Sequence, residues 1–505
     1  MWRLIAFLTV IAVGVGLSTT GRAASVSPAA HTHGSVVLRV MTYNMAGGEW
    51  GWEHGPGSSQ TAAQEQGVVD AIRAANADVV GLQEPFGRTR LIARMLGPGW
   101  YAYPRLHTVS RYPILEPGGA KSVYAYVQIA PGRVVAMLNT HLPSAPYGPY
   151  GVRDGKGLAR ILHNENVGRI PWMKPILAAA RPLIAAGVPT ILTGDFNSPS
   201  WRDWTPAVVH ARGLPYSVRW PVSLAIEQAG FQDTYRRLHP NAVQSLGFTW
   251  PSGYPLFQHS APKYSDRIDI VWAGGPARAL RSQIVGYPGS PYTDIPVKPW
   301  VSDHRAVVTT LRVHPVQPPD LVAVDSFRVY RGNTIGVSFR APATSGVHVE
   351  LRRGGATVAS QSTGGARNGH VQFSSAALLP GIYAVRLAGA GSSTPTPTNV
   401  TVVAPRAHPS IAVAKHVFAV GEPIAVSWRN DPGNRYDWLS VNTPNGTPLT
   451  LDLLEWRYVN SEINGSGTIG RTDHGDWPLQ AGNYKVWLCL DDGYVCWDSA
   501  SFTVR

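Results

Sequence analysis

Six short apolar segments, at 36–44, 77–84, 134–141, 190–197, 267–273 and 306–313, alternate with stretches of helical spacing at 62–75, 175–186 and 223–229. Strand and helix alternating at this interval predict an α/β sheet system. Polar residues stand repeatedly at or just beyond the strand ends, among them Asn44, Glu84, His141, Asp195 and Asn197. If the strands share a sheet system, these side chains gather at one rim. The pattern breaks at 314–320, where His-Pro-Val-Gln-Pro-Pro-Asp is too rich in proline for either regular structure and reads as a linker.

Beyond that linker the helical signal disappears and the chain repeats itself. Residues 329–339 echo 417–428, with Gly332 matching Gly421 and Ile335 matching Ile424, and Gly381-Ile382-Tyr383 echoes Gly482-Asn483-Tyr484. Two related all-β modules are expected, at 315–404 and 409–505. Lengths near ~100 residues, alternating pattern and Gly/Pro turns fit immunoglobulin-like sandwiches. The 52 Gly, 42 Pro and 17 Trp agree with loop-rich β structure, and only 15 % of residues being charged excludes a disordered acidic chain or a coiled coil. Trp428, Trp438, Trp456, Trp477, Trp487 and Trp497 suggest a glycan platform in the last module, although strand-borne Trp also serves as core.

Residues 1–23 read as a signal peptide, with Arg3, an apolar run at 4–17 and the small-residue site Gly21-Arg22-Ala23. The run is shorter than the ~20 residues of a membrane span. The expected location is secreted or periplasmic, with 24–35 an N-terminal linker and no transmembrane anchor after processing. That setting permits a disulfide between the two cysteines. With Asp492-Gly493 as a two-residue turn, Cys489 faces Cys496, at a hydrogen-bonded position of wider Cα spacing.

Charge is unevenly distributed. Residues 36–314 hold 27 Lys and Arg against 17 Asp and Glu, whereas 315–505 hold 15 against 14. A positive field in the first part suits a phosphate-bearing partner such as nucleic acid, anionic lipid or phosphorylated glycan; a basic surface of no ligand meaning is the alternative.

Individual motifs carry chemistry. Gly194-Asp195-Phe196-Asn197 closes a strand with a carboxylate and an amide two residues apart, on one side of the chain. Such an Asp can accept a proton from water and such an Asn can steer an anionic oxygen, but the same tetrad is also a common turn. Ser302-Asp303-His304 offers a metal ligand or proton acceptor beside a cationic stabiliser. Asp266-Arg267-Ile268-Asp269 sets two carboxylates three apart, on opposite strand faces if extended, one able to orient an imidazole. Leu82-Gln83-Glu84 ends on a carboxylate suited to a hard divalent cation, and Asn139-Thr140-His141 and Thr42-Tyr43-Asn44 end two further strands.

Taken in chain order, from Asn44 through Glu84, His141, Asp195 and Asp269 to His304, the six motifs resemble the endonuclease/exonuclease/phosphatase superfamily over residues 36–314. The resemblance implies a four-layered α/β sandwich with its active site at one rim and Mg²⁺, or Mn²⁺ or Ca²⁺, within it. It implies Glu84 as principal metal ligand with Asn44 and Asp303 close by. Asp195 would activate or orient water and Asn197 hold it or the phosphate. His304, oriented by Asp269, would stabilise developing charge, and His141 would bind phosphate or assist the leaving group. Ala46 and Ser265 depart from the patterns of abasic-site endonucleases and inositol phosphatases, respectively.

The segment 143–157, directly after His141, carries Tyr147, Tyr150, Arg153 and Lys156 among turn residues. It is expected to form a substrate-contacting loop in which aromatic faces stack and cations hold phosphate, with Tyr147, Arg153 and Asp266 as substrate-binding residues. Tyr254, Phe257, Tyr287, Tyr292 and Trp300 are expected to line a groove or a membrane-facing rim, or to pack loops down. The resulting expectation is a secreted, metal-dependent hydrolase of phosphoester bonds, a phosphodiesterase before a monoesterase. Its modules are open to cell-surface or glycan contact. The alternative is a surface adhesin or glycan-binding protein that keeps the fold without catalysis.

Overall fold

Along β1 (Val36–Asn44), Leu38, Val40, Thr42 and Asn44 point to one side and Met41 and Tyr43 to the other, as the two-residue period of a strand requires. Met41 and Tyr43 pack with Val68, Val69 and Ile72 of the helix Ser59–Ala74 and with Ile92 of the helix Thr89–Leu96. Leu38 and Val40 pack instead against Val127, Val135, Met137, Ile191 and Val271 of a second sheet. Each such fully buried Val, Leu or Ile contributes about 1.5–3 kcal/mol, so register is strongly specified on both faces. The computed structural model describes residues 34–46, 59–252, 265–389, 395–446, 448, 454–470 and 477–505, and Ser35–Arg505 make one compact unit. The expected signal peptide, most of the 24–35 linker, Tyr254 and Phe257 lie outside the described residues.

The strands that follow are β2 (Val79–Gln83), β3 (Tyr101–Tyr103), β4 (Thr108–Ser110), β5 (Ile114–Leu115), β6 (Ala125–Ala130) and β7 (Arg133–His141). Then come β8 (Thr190–Asp195), β9 (Phe231–Asp233), β10 (Asp269–Gly274), β11 (Ala277–Gly286), β12 (Ile295–Pro296) and β13 (Ala306–Val313). One sheet has the order β12-β11-β13-β1-β2-β4-β3, the other β5-β6-β7-β8-β10-β9. On the outer side of the second, Met173 and Ile176 of the helix Ile170–Ala185 and Ile226 of the helix Pro221–Gln228 cover Leu138, Leu192, Ile270 and Trp272. The layers are therefore helix, sheet, sheet, helix.

Strand direction explains why polar residues collect at one edge. β1 and β2 run parallel with Asn44 beside Gln83, and β7 and β8 run parallel with His141 beside Asp195. β10 is antiparallel to β8 and starts where β8 ends, pairing Asp269 with Asp195. β13 is antiparallel to β1, so the segment before it, with Asp303 and His304, enters at the same edge. Asn44, His141, Asp195 and Asp269 share the parity of inter-sheet core residues on their strands and so point into the seam between the sheets. Near that seam Gly81 is required: a Cβ there would overlap the side chains of Thr193 and Asn139 on the facing sheet.

Beyond β13 the described residues form strands joined by turns and loops, without an α-helix. Leu321–Val324, Thr334–Arg340 and Asn368–Ser374 form a three-stranded sheet facing a five-stranded one, and Ser410–Val413, Ile424–Arg429 and Gly465–Ile469 do the same in the second copy. Each pair of sheets encloses its own apolar core. The repeated strand order accounts for the repeated sequence.

The disulfide Cys489–Cys496 is present, but its turn differs from expectation. Asp491 and Asp492, both with positive φ (52° and 62°), form the tip, and Gly493 N–H donates to the Leu490 carbonyl at 2.8 Å. A bulge at Leu488/Cys489 restores the cysteine pairing at a Cα separation of 3.9 Å, the narrow rather than the wide spacing. Among described residues no helix is long and apolar enough to cross a membrane.

The tryptophans do not form a shared platform. Trp428 and Trp438 are buried, Trp477 packs against the module core, and Trp456 stacks on Trp172 of the helix Ile170–Ala185 at 6.2 Å between centroids. Only Trp497 of the six is largely exposed, at 45 %. Apolar area is better buried in a core or an interface than left in water, which explains most of the set.

Candidate active site

Each strand end delivers one side chain to the seam. Asn44 is the hub: its Nδ2 donates to Glu84 Oε1 at 2.9 Å and to Asp195 Oδ2 at 3.0 Å, and lies 3.4 Å from His304 Nε2. Its oxygen accepts the Ala46 N–H at 3.0 Å. In this pose Asn44 presents an amine to the carboxylates, so it joins them as donor, and ligation through oxygen requires the amide to turn over. Glu84 follows β2 in a left-handed conformation (φ 55°), which brings its carboxylate back to the seam; Asn197 after β8 does likewise (φ 46°). Such backbone conformations are costly for non-glycine residues and persist where the surroundings enforce them.

His304 is held from several directions. Its Nδ1 meets Asp269 Oδ2 at 2.9 Å, and its Nε2 lies 3.6 Å from Asp195 Oδ2 and 3.9 Å from Asp303 Oδ2. Its backbone N–H donates to Ser302 Oγ, which donates in turn to the Asn44 carbonyl, and Trp300 Nε1 donates to the His304 carbonyl. Burial alone would lower the His304 pKa, but Asp269, Asp303 and Asp195 outweigh it and raise the pKa well above the usual histidine range. Burial pushes Asp269 up to about 6, against the attraction of His304. The direction that follows from three surrounding carboxylates is an imidazolium at neutral pH.

His141 approaches the same Asp195 oxygen as His304. Its Nε2 is 3.6 Å from Asp195 Oδ2 and 3.8 Å from Glu84 Oε1, and Asn197 Nδ2 lies 3.2 Å away. Its Nδ1 is 3.6 Å from Asp492 Oδ2, a residue of the last β module. Burial lowers its pKa, but Asp492, Asp195 and Glu84 together raise it to about 9. Asn197 is fixed by donating its backbone N–H to Asp195 Oδ1 and its amide to the Leu142 carbonyl. Burial raises the Glu84 pKa, offset in part by His141.

For a cation, ligand atoms of Asp195, Asp269 and His304 come within 4.8 Å of one another. Asp269 is already committed to His304 Nδ1, so this trio is an Asp–His pair beside a second carboxylate. Glu84 and Asp303 add two hard oxygen donors at the same seam, as Asp303 influences both Glu84 and His304 electrostatically. Hard oxygens in this density suit a hard divalent cation.

The expected substrate contacts are corrected in part. The segment after His141 forms a short helix, Gly148–Arg153, and Arg153 points inward, its side chain 3 % exposed. Arg153 donates to Asp266 Oδ2 at 2.8 Å, Tyr147 OH donates to the same oxygen at 3.0 Å, and Arg212 and Trp204 donate to Oδ1. A buried carboxylate needs such neutralisation, so Arg153 and Asp266 form an internal ion pair and not a phosphate contact. Tyr147 remains half-buried, in edge contact with Tyr150 and Trp250. Trp300 is buried against Tyr43, and Tyr292 packs on Phe248.

Two features at the site were not anticipated. Trp250 donates its indole N–H to Asp303 Oδ2 at 3.0 Å and lies 6.2 Å from the His304 ring. With Tyr150, 39 % exposed, it makes an aromatic wall beside the candidate-site side chains. Asp492 arrives from a distant module. An acidic pair at the tip of a disulfide-closed hairpin was its only local signal.

The Endonuclease/Exonuclease/phosphatase family profile matches residues 41–304, from within β1 to the site histidine. The uncharacterized protein F14F9.5 of Caenorhabditis elegans is 31 % identical over 275 residues, 50 % of this chain and 82 % of that protein. Among solved structures, an endonuclease/exonuclease/phosphatase from Beutenbergia cavernae DSM 12333 has 19 % identity and TM-score 0.35, covering 72 % of this chain and 99 % of its own. TDP2 of D. rerio, complexed with a single-strand DNA product, has 14 % identity and TM-score 0.33 over 55 % of this chain and 98 % of its own. By the matched span and the curated relative, the chain belongs to the endonuclease/exonuclease/phosphatase family of phosphoester-bond hydrolases.

Proposed function

We propose that this chain is a secreted or periplasmic phosphodiesterase that depends on a divalent metal, Mg²⁺ or alternatively Mn²⁺ or Ca²⁺. The reading rests on one observation above all: Asn44, Asp195 and His304 meet across two sheets, with Asp269 directly behind the imidazole. Phosphoester hydrolysis needs charge neutralisation on the non-bridging oxygens, an in-line water and help for the leaving oxygen. Glu84 and Asp303 would hold the cation, with Asn44 beside them, and the cation supplies Lewis-acid polarisation of the phosphoryl group. Asp195, buried and joined to Asn44, orients and accepts a proton from the attacking water. Asn197 holds that water or the phosphate. His304, kept cationic by Asp269, stabilises charge on the phosphoryl oxygens, and His141 donates toward the leaving oxygen.

The excess of Lys and Arg over Asp and Glu in 36–314 supports an extended polyanion as substrate, from nucleic acid, phospholipid head groups or phosphorylated polymer. The segments 36–314, 315–404 and 409–505 are read as one catalytic domain and two immunoglobulin-like modules, and residues 1–23 as a cleaved signal. Hydrolysis of bis-p-nitrophenyl phosphate is the test. Turnover with Mg²⁺ that stops on chelation and in His304→Ala is the expected result. No turnover with any divalent ion would replace this reading with a binding protein or adhesin.

A further inference from the structure

The hairpin tip of the last β module reaches the candidate active site with two consecutive carboxylates. Asp491 is buried; its Oδ1 lies 2.5 Å from His107 Nε2 and its Oδ2 accepts the Gly87 N–H at 2.9 Å. Gly87 belongs to the turn that follows Glu84, and a Cβ at Gly87 would press on Leu490 of the hairpin at 2.8 Å. Asp492, the next residue, accepts the Tyr458 hydroxyl at 2.6 Å on Oδ1 and faces His141 Nδ1 with Oδ2. Phe86 packs edge-on against Tyr494, Arg435 donates to the Asn139 carbonyl, and Arg105 donates to the Gly433 carbonyl. The base of the tip is closed by Cys489–Cys496.

We infer that Asp492 is a positioning residue for His141, so that the last β module completes the catalytic centre. This rests on the phosphoesterase reading. Three groups of the first part, Glu84, Asp195 and Asn197, surround His141 Nε2, while among the described residues the ion-pair partner at Nδ1 is Asp492. A carboxylate at one ring nitrogen fixes which face and which nitrogen the imidazole offers on the other. Asp491 keeps the tip seated: its two oxygens take donors from different strand ends, so the fork cannot rotate without breaking an anchored contact. His141 Nε2 is thereby directed toward Glu84, Asp195 and Asn197.

The full-length protein with Mg²⁺ and bis-p-nitrophenyl phosphate tests this through Asp492→Asn, Asp492→Glu, His141→Asn and the double variant Asp492→Asn/His141→Asn. Asn retains an oxygen for Tyr458, so the fold is preserved and the melting temperature is the control. Asp492→Asn is expected to lower kcat roughly 10- to 100-fold, the scale seen when the outer partner of a ligating histidine is lost. KM should stay within about twofold of wild type, as for loss of an interaction specific to the transition state. Asp492→Glu should recover part of the rate, and Asp492→Asn should add nothing in the His141→Asn background. ¹⁵N NMR of the imidazoles should show His141 shifted in Asp492→Asn and His304 unmoved. Wild-type kcat in Asp492→Asn, multiplicative losses in the double variant, or an unmoved His141 signal would overturn the inference. An inactive wild type would count against the phosphoesterase reading, and the NMR comparison would still decide this one.

Discussion

His304 and Asp269 meet at 2.9 Å although they are carried by different sheets, one just before β13 and the other at the start of β10. The pair spans the seam because each precedes a strand antiparallel to a strand that ends there. Asp269 therefore orients His304 without itself belonging to the loop that carries it. Asp269→Asn keeps the shape and removes the charge. It is expected to lower kcat about 10²- to 10⁴-fold, the range of a misoriented acid–base group, as measured by steady-state hydrolysis of a diester substrate.

Arg153 and Asp266 are almost fully enclosed, together with Arg212 and Trp204 and with the half-buried Tyr147 beside them. Arg212 would still face Asp266, so losing Arg153 removes one charge-assisted hydrogen bond, at about 1.5–3 kcal/mol. Arg153→Ala should lower stability by that amount in urea unfolding. A variant as stable as wild type would return Arg153 to the list of ligand contacts.

The last module carries its own pH dependence. Asp431 and Asp437 are both fully buried near Asp491. Burial pushes Asp431 up to about 6, and burial with the neighbouring Asp431 and Asp491 pushes Asp437 well above the usual carboxylate range. The folded module thus binds more protons than the unfolded chain between the two pKa ranges. Its stabilising contribution is complete below the ordinary carboxylate value of 3.8 and is lost as pH rises through about 6. Differential scanning calorimetry should show the melting temperature falling from pH 5 to pH 8. Asp431→Asn should flatten that fall and raise the melting temperature at pH 8.

Gly81 permits the two sheets to approach where Asn139 and Thr193 hydrogen-bond at 2.8 Å. Gly81→Ala inserts a methyl into that contact and should cost about 1–3 kcal/mol, as overpacking does. Chemical denaturation of the variant checks it, and an unchanged midpoint would show that the sheets can separate freely there.

Much of the site was legible because strand geometry is local. The boundaries read for 36–44 and 306–313 coincide with β1 and β13, since nine and eight residues buried mostly on both faces leave little freedom in register. The polar strand ends are expected to gather at one rim, and Asn44, His141 and Asp195 do stand at one edge of the two sheets. What was not legible is long-range. The partner of Arg153 lies 113 positions away, so its local setting of tyrosines and turn residues resembled a ligand loop. Trp250 gave no sign of its bond to Asp303, 53 positions on. The hairpin tip was misplaced by one residue because two successive aspartates adopt the left-handed conformation that Asp-Gly pairs more often supply.

The contact between His107 and Asp491 joins residues 384 positions apart. Ribosomal synthesis delivers the strand ends bearing Asn44, Glu84, His141, Asp195 and His304 long before the tip that steadies two of their neighbours. On this view the order of translation sets an order of competence: the histidine at the β7 end waits for a carboxylate that is made much later in the chain. A proteolytic fragment cut between the modules would then keep every motif of the family and lose the fork that locks them.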